Sequence, residues 1–201
     1  DVYKRQAVYS RKINGQTHRF GVSGLLYKSN ILMYDEQTES LWSQVMQRAV
    51  TGPLSGTKLE QLSSVLTTWK KWQAQHPDTD ALTPATGHVR DYSKDPYEDY
   101  YKSRSGLFGF LKGGPGAEEK ELVVGVTIDD AVKAYRLRDI RSAGEVMDVL
   151  SGKKITLRYD DKFDKLTVED GQASALDHIV LYWFVWKAIY PESDVYQRNE
   201  Q

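Results

Sequence analysis

Asn14-Gly15 stands between two β-rich runs, Ala7–Ile13 and Thr17–Val22. Asn-Gly supplies the two positive-φ positions that a tight hairpin turn demands, so this dipeptide predicts antiparallel pairing of its flanks. The pattern repeats along the chain. Leu25–Tyr27 and Ile31–Tyr34 flank Lys28-Ser29-Asn30, and Leu41–Val50 and Lys58–Leu62 flank the Gly52-Pro53 and Gly56 turn signals. Further on, Leu122–Ile128, Ala131–Tyr135, Ile155–Tyr159 and Lys165–Val168 alternate with Asp-rich turns. Many short strands at such spacing favour a β-rich architecture.

Two segments change period. In Thr67–Gln75, Trp69, Trp72 and Gln73 fall at helical spacing, and His76-Pro77 ends the run because the residue before proline leaves the α region. Leu176–Tyr190 predicts a second helix, with Ser174 and Asp177 as a capping box, an Ile179/Trp183/Trp186/Tyr190 stripe, and Pro191 as its stop. Leu137–Arg141 predicts a short helical turn, and Ala81–Thr83 a further strand. The fold class expected is α+β and β-rich: two packed lobes of short antiparallel strands with two aromatic-rich helices. The expected layout is a non-native start over 1–6, a first lobe over 7–112, a Gly/Pro linker over 113–120 and a second lobe over 121–196. Thr86–Gly116, rich in Tyr, Asp, Lys and Gly, reads as a long connection.

Composition limits function. Twenty-seven Lys+Arg against 28 Asp+Glu give a net charge of −1, so the chain as a whole offers no electrostatic footprint for nucleic acid. A cysteine count of 0 excludes disulfides, thiol catalysis and thiolate metal sites within this chain. Asp1–Gln6 is polar and is no signal peptide, and Ile179–Ile189 falls short of the roughly 20 apolar residues that span a bilayer. Oligomeric state and cofactor are not legible.

No complete catalytic motif stands in the sequence. Gly21-Val22-Ser23-Gly24-Leu25 misplaces the second glycine of a nucleophile elbow and reads as a strand end. Gly52-Pro-Leu-Ser-Gly56-Thr57-Lys58 has one residue too few between its glycines for a phosphate loop, and Pro53 lacks a backbone donor. His18, His76, His88 and His178 show no paired metal-ligand spacing, so no metal site is assigned. The acidic cluster Asp35, Glu36 and Glu39 runs into Ser40, Trp42 and Gln44. A solvated turn is the simple reading. An aromatic beside carboxylates and an amide also suits a small polar ligand, with Tyr97 and Tyr100 from the long connection completing the surface. Catalytic residues are not assigned.

Phe20–Gln44, FGVSGLLYKSNILMYDEQTESLWSQ, is long and distinctive. With Ala49–Thr57, Thr68-Trp69, Trp72, His76–Thr79, Asp91-Tyr92, Asp95–Tyr97 and Tyr100, it resembles the prokaryotic family catalogued as domain of unknown function 3179. Val124–Val126, Lys133–Tyr135, Tyr182–Phe184, Trp186 and Tyr190-Pro191 extend the resemblance to about Ala7–Tyr196. Family members carry an upstream Cys-Pro-Leu-Thr/Cys-Gly run, preceded by a His-Glu and Asn-Asp region, where this chain has Asp1–Gln6. The resemblance thus implies an N-terminally truncated chain with one and a half copies of an internal repeat. A second departure is Ala134-Tyr135-Arg136, where Ala-Tyr-Pro is commoner. The resemblance implies an extracytoplasmic domain and no established reaction. The leading expectation is ligand binding. The alternative is a hydrolytic or metal/redox-linked enzyme whose Cys and His residues lie in the upstream part.

Overall fold

At the Asn14-Gly15 turn both residues hold positive φ, 48° and 84°, and the flanking residues Ile13 and Gln16 pair across it. The computed structural model describes residues 7–28, 30–65, 67–89, 91–94 and 120–197. The chain is strand-rich, with three short helices among the described residues. This is the β-rich α+β class the turn pattern predicts.

The N-terminal part holds β1 (Val8–Tyr9), β2 (Lys12–Ile13), β3 (Gln16–Thr17), β4 (Phe20–Tyr27), β5 (Asn30–Asp35), β6 (Leu41–Ser43), β7 (Arg48–Thr51) and β8 (Gln61–Leu62). Strands β4 to β7 form an antiparallel meander, while β2 pairs with β3 and β1 with β8. Gly21 is required within it, since a Cβ there would stand 2.5 Å from the Tyr34 ring. Helix α1 (Trp69–Gln75) starts at Thr68, whose hydroxyl accepts from the Lys71 amide, and ends at His76, whose ring lies 4.2 Å from that of Trp72. Ala81–Thr83, expected as a strand, is irregular.

The C-terminal part holds β9 (Leu122–Ile128), β10 (Ala131–Arg136), α2 (Leu137–Ala143), β11 (Glu145–Leu150), β12 (Lys153–Asp160), β13 (Lys165–Asp170), β14 (His178–Tyr182), α3 (Trp183–Ile189) and β15 (Asp194–Val195). One sheet has the order β14-β9-β10-β15, and the other β11-β12-β13. Val123–Val126 of β9 are buried on both faces, which explains the apolar run VVGV. Val124 and Val126 join Leu137, Ile140 and Leu157 in one core cluster, and Val123 joins Leu181, Val185 and Trp186 in another. Val45 belongs to that second cluster, so the N-terminal part docks on the C-terminal part through shared apolar packing.

The expected helix over Leu176–Tyr190 is corrected. His178–Tyr182 is a strand pairing with β9, and the helix begins only at Trp183. Along HIVLY half-buried and buried residues alternate, a period of two, because β9 needs a partner along this edge and Ile179 and Val180 suit a pleated surface. The capping box is not formed. The Ser174 amide donates to Asp170 Oδ1 at 2.9 Å and closes a turn. The expected linker over 113–120 lies, apart from Lys120, outside the described residues.

Candidate functional site

Asp35 ends β5 and opens the turn into β6. An aspartate at a turn's first position can accept from the backbone beyond it. Here Oδ1 accepts from the Thr38 amide at 2.7 Å, and the Asp35 carbonyl accepts from the Glu39 amide at 2.9 Å. Trp42 donates its indole N–H to Asp35 Oδ2 at 2.8 Å, and His18 Nδ1 lies 3.1 Å from Oδ1. The Thr38 hydroxyl bridges Asp35 and Ser40 Oγ, which also accepts from the Leu54 amide at 3.1 Å. Burial pushes the Asp35 carboxyl up, but the bonds from Trp42, Thr38 and His18 outweigh it and hold the group below the usual carboxylate range.

The structure therefore brings Asp35, Ser40 and Trp42 together, and at 0% exposure for each it closes them off from solvent. Trp42 packs with Ile13, Ala49 and Leu59. These three residues read as the polar lock of a core, and they present no side chain to a ligand. Glu39 is exposed on the turn with φ 56°. Gln44 is half-buried, and its carbonyl accepts from the Tyr9 hydroxyl at 2.7 Å. Tyr97 and Tyr100 lie outside the described residues. Ser23 donates to the Leu32 carbonyl, and Gly52, at φ 87°, serves a turn packed on Ser40.

A cleft of about 650 Å³ lies elsewhere, between the β8 segment and the β12–β13 sheet. Its formation follows from topology. The Leu176 amide donates to the Val168 carbonyl at 2.8 Å, so residues just before β14 extend the β13 edge. Gln61 of β8 then donates from Nε2 to the His178 carbonyl at 2.6 Å, strapping the N-terminal part across that edge. Leu137, Leu166, Val168, Leu176 and Val180 give an apolar lining.

Two sets of polar groups stand out along this cleft, whose lining also includes Lys165, Thr167 and Glu169. The first is the Arg141/Tyr159 pair. Arg141 projects from α2, donates to the Tyr159 hydroxyl at 2.6 Å and lies 4.6 Å from that ring's centroid. Tyr159 donates to Asp164 Oδ1 at 3.0 Å, and Lys71 of α1 ion-pairs the same oxygen at 3.0 Å. The Lys71 ammonium is the leading cause that lowers the Asp164 carboxyl. The second is Asp177-His178. His178 Nδ1 lies 3.0 Å from the Leu176 carbonyl, so it is the donor nitrogen and Nε2 carries the free lone pair. Burial lowers the His178 pKa, and the neutral imidazole is favoured. Burial also raises the Asp177 carboxyl.

The sequence reading assigned none of Arg141, Tyr159, Asp164 and Asp177 to a site, because they arrive from separate segments. The available signal was the Asp177-His178 pair ahead of a β-branched run. The structure corrects His178 from a helix position to the first residue of a strand. Among the described residues, no group of three or more His, Asp or Glu side chains could hold a metal ion.

A family model described as "Protein of unknown function (DUF3179)" matches residues 4–175, and the chain belongs to that family. No curated protein and no solved structure matches it. Among the described residues no helix is long and apolar enough to cross a membrane.

Proposed function

We propose that this chain is a ligand-binding domain whose site is the cleft between the β8 segment and the β12–β13 sheet. One observation carries the reading: an apolar-lined space of about 650 Å³ with separate polar groups at Arg141 and at Asp177-His178. Small-molecule sites combine such a volume with a few placed polar groups. The ligand surface expected around Asp35 and Trp42 is set aside, since those side chains already satisfy one another.

Leu62, 42% exposed, lines the cleft from β8. Saturation-transfer NMR against a fragment library is expected to find binders, and Leu62→Trp, which fills the cleft without touching the buried core, is expected to abolish their signals. Fragments that bind the variant equally well, or no binders at all, overturn the reading. We take the domain to act outside the cytoplasm, as the family resemblance implies. Fractionation that finds it confined to the cytoplasm overturns that part.

A further inference from the structure

Arg141 and the Asp177-His178 pair differ in sign, and Lys165, Asp164 and Glu169 also line the cleft. Among the described residues no carboxylate lies within ion-pairing distance of Arg141, although its charge helps to hold the Asp164 carboxyl down across the Tyr159 hydroxyl. Only its bond to Tyr159 is used, and the rest of its donor fork is uncommitted. The Arg141 guanidinium lies over the Tyr159 ring, 4.6 Å from its centroid. A planar guanidinium with free N–H groups matches a carboxylate two bonds at a time. The other group offers acceptors only. The Asp177 carboxylate is in no ion pair or side-chain hydrogen bond among the described residues, and the His178 tautomer makes Nε2 an acceptor on a second residue lining the cleft. Apolar side chains, Leu176 and Leu166 among them, complete the lining.

Resting on the cleft reading, we propose that the ligand is a small zwitterion with an apolar body, of the amino-acid or short-peptide kind. Its carboxylate docks on Arg141 and its ammonium on Asp177 and His178 Nε2. Each charged end meets a partner of opposite sign. Reversing the molecule would set carboxylate against carboxylate, so the cleft also fixes its direction.

Isothermal titration of the 201-residue chain with four probes tests this. These are leucine, the dipeptide Leu-Leu, 3-methylbutylamine, which lacks the carboxylate, and 4-methylpentanoate, which lacks the amine. At least one zwitterion is expected to bind, with both one-ended analogues weaker by 10-fold or more. Arg141→Gln is expected to cost about 10-fold and bring the zwitterion down to the amine's level, and Asp177→Asn to bring it down to the acid's level. Both positions are exposed, so melting temperatures near the parent's verify folding. One-ended analogues that bind as well as the zwitterion overturn the class. If library fragments occupy the cleft but neither zwitterion does, the class fails and the cleft reading stands. If nothing binds, both fail.

Discussion

The Asp35 turn and the Asp177-His178 edge use the same side-chain types to opposite ends. Each has an aspartate and a histidine close together. At Asp35 the carboxylate receives Trp42, Thr38 and His18, of which Trp42 and His18 are buried and Thr38 is half-buried. Asp177 is an exposed residue with a partly desolvated carboxylate, and the neighbouring imidazole spends one nitrogen on a backbone carbonyl and has no partner on the other among the described residues. The difference teaches that residue type does not tell a lock from a site. What separates them is whether the donors and acceptors are consumed within the fold.

Removing the lock is expected to be the more costly change by far. Asp35→Ala leaves the buried Trp42 indole and His18 ring, and the half-buried Thr38 amide, without their acceptor. The two buried donors, Trp42 and His18, each cost about 1–3 kcal/mol when orphaned, so a loss of about 2–6 kcal/mol is expected in urea denaturation. Asp177→Asn, at the open site, is expected to change stability by less than about 0.5 kcal/mol. Similar losses for the two variants would erase the distinction between lock and site.

A second change asks whether the C-terminal part is held in a different manner. There the junction is apolar: a Cβ at position 125 would come within 2.0 Å of the Trp186 ring, itself 1% exposed and tied to Ser193 Oγ by its indole N–H at 2.8 Å. A ring so enclosed has no free rotamer to retreat into. Gly125→Ala is expected to cost about 1–3 kcal/mol by overpacking, read from the same denaturation curves. Near-native stability would mean that the Trp186 packing yields more easily than a close-packed core does.

Much of the scaffold was legible because its signals are local. Asn14-Gly15 specifies a turn through two φ angles, and His76-Pro77 ends α1 through one ring, while the Thr68 cap at its start was not read from the sequence. Leu176–Tyr190 misled because apolar residues there satisfy two periods at once. Ile179, Trp183 and Trp186 fit a helix face, while Ile179 and Leu181 fit a strand face. Only β9, more than 50 residues earlier in the chain, decides between them. The Asp35 cluster was legible as a group, but burial reversed its meaning. The cleft was not legible, since Arg141, Tyr159 and His178 meet only after β12, β13 and β14 have folded beside one another.

The smallest expected effect separates the two histidine environments by pH. His178 has a folded pKa below its unfolded value of about 6.5, because burial disfavours the imidazolium. Below about pH 6.5 the unfolded chain therefore binds a proton that the folded chain resists. Stability contributed by the neutral ring is complete above that value and falls as pH drops through the window beneath it. Asp177 acts in the opposite sense, since its raised carboxyl takes up a proton more readily in the fold and offsets part of the acid loss at lower pH. His178→Gln removes the first contribution and retains the second. Denaturation at pH 8 and pH 5 is expected to show the parent losing more stability between the two than the variant. An equal loss in both proteins would assign the acid sensitivity to a group other than His178, and would remove the basis for treating its ring as a neutral acceptor facing the cleft.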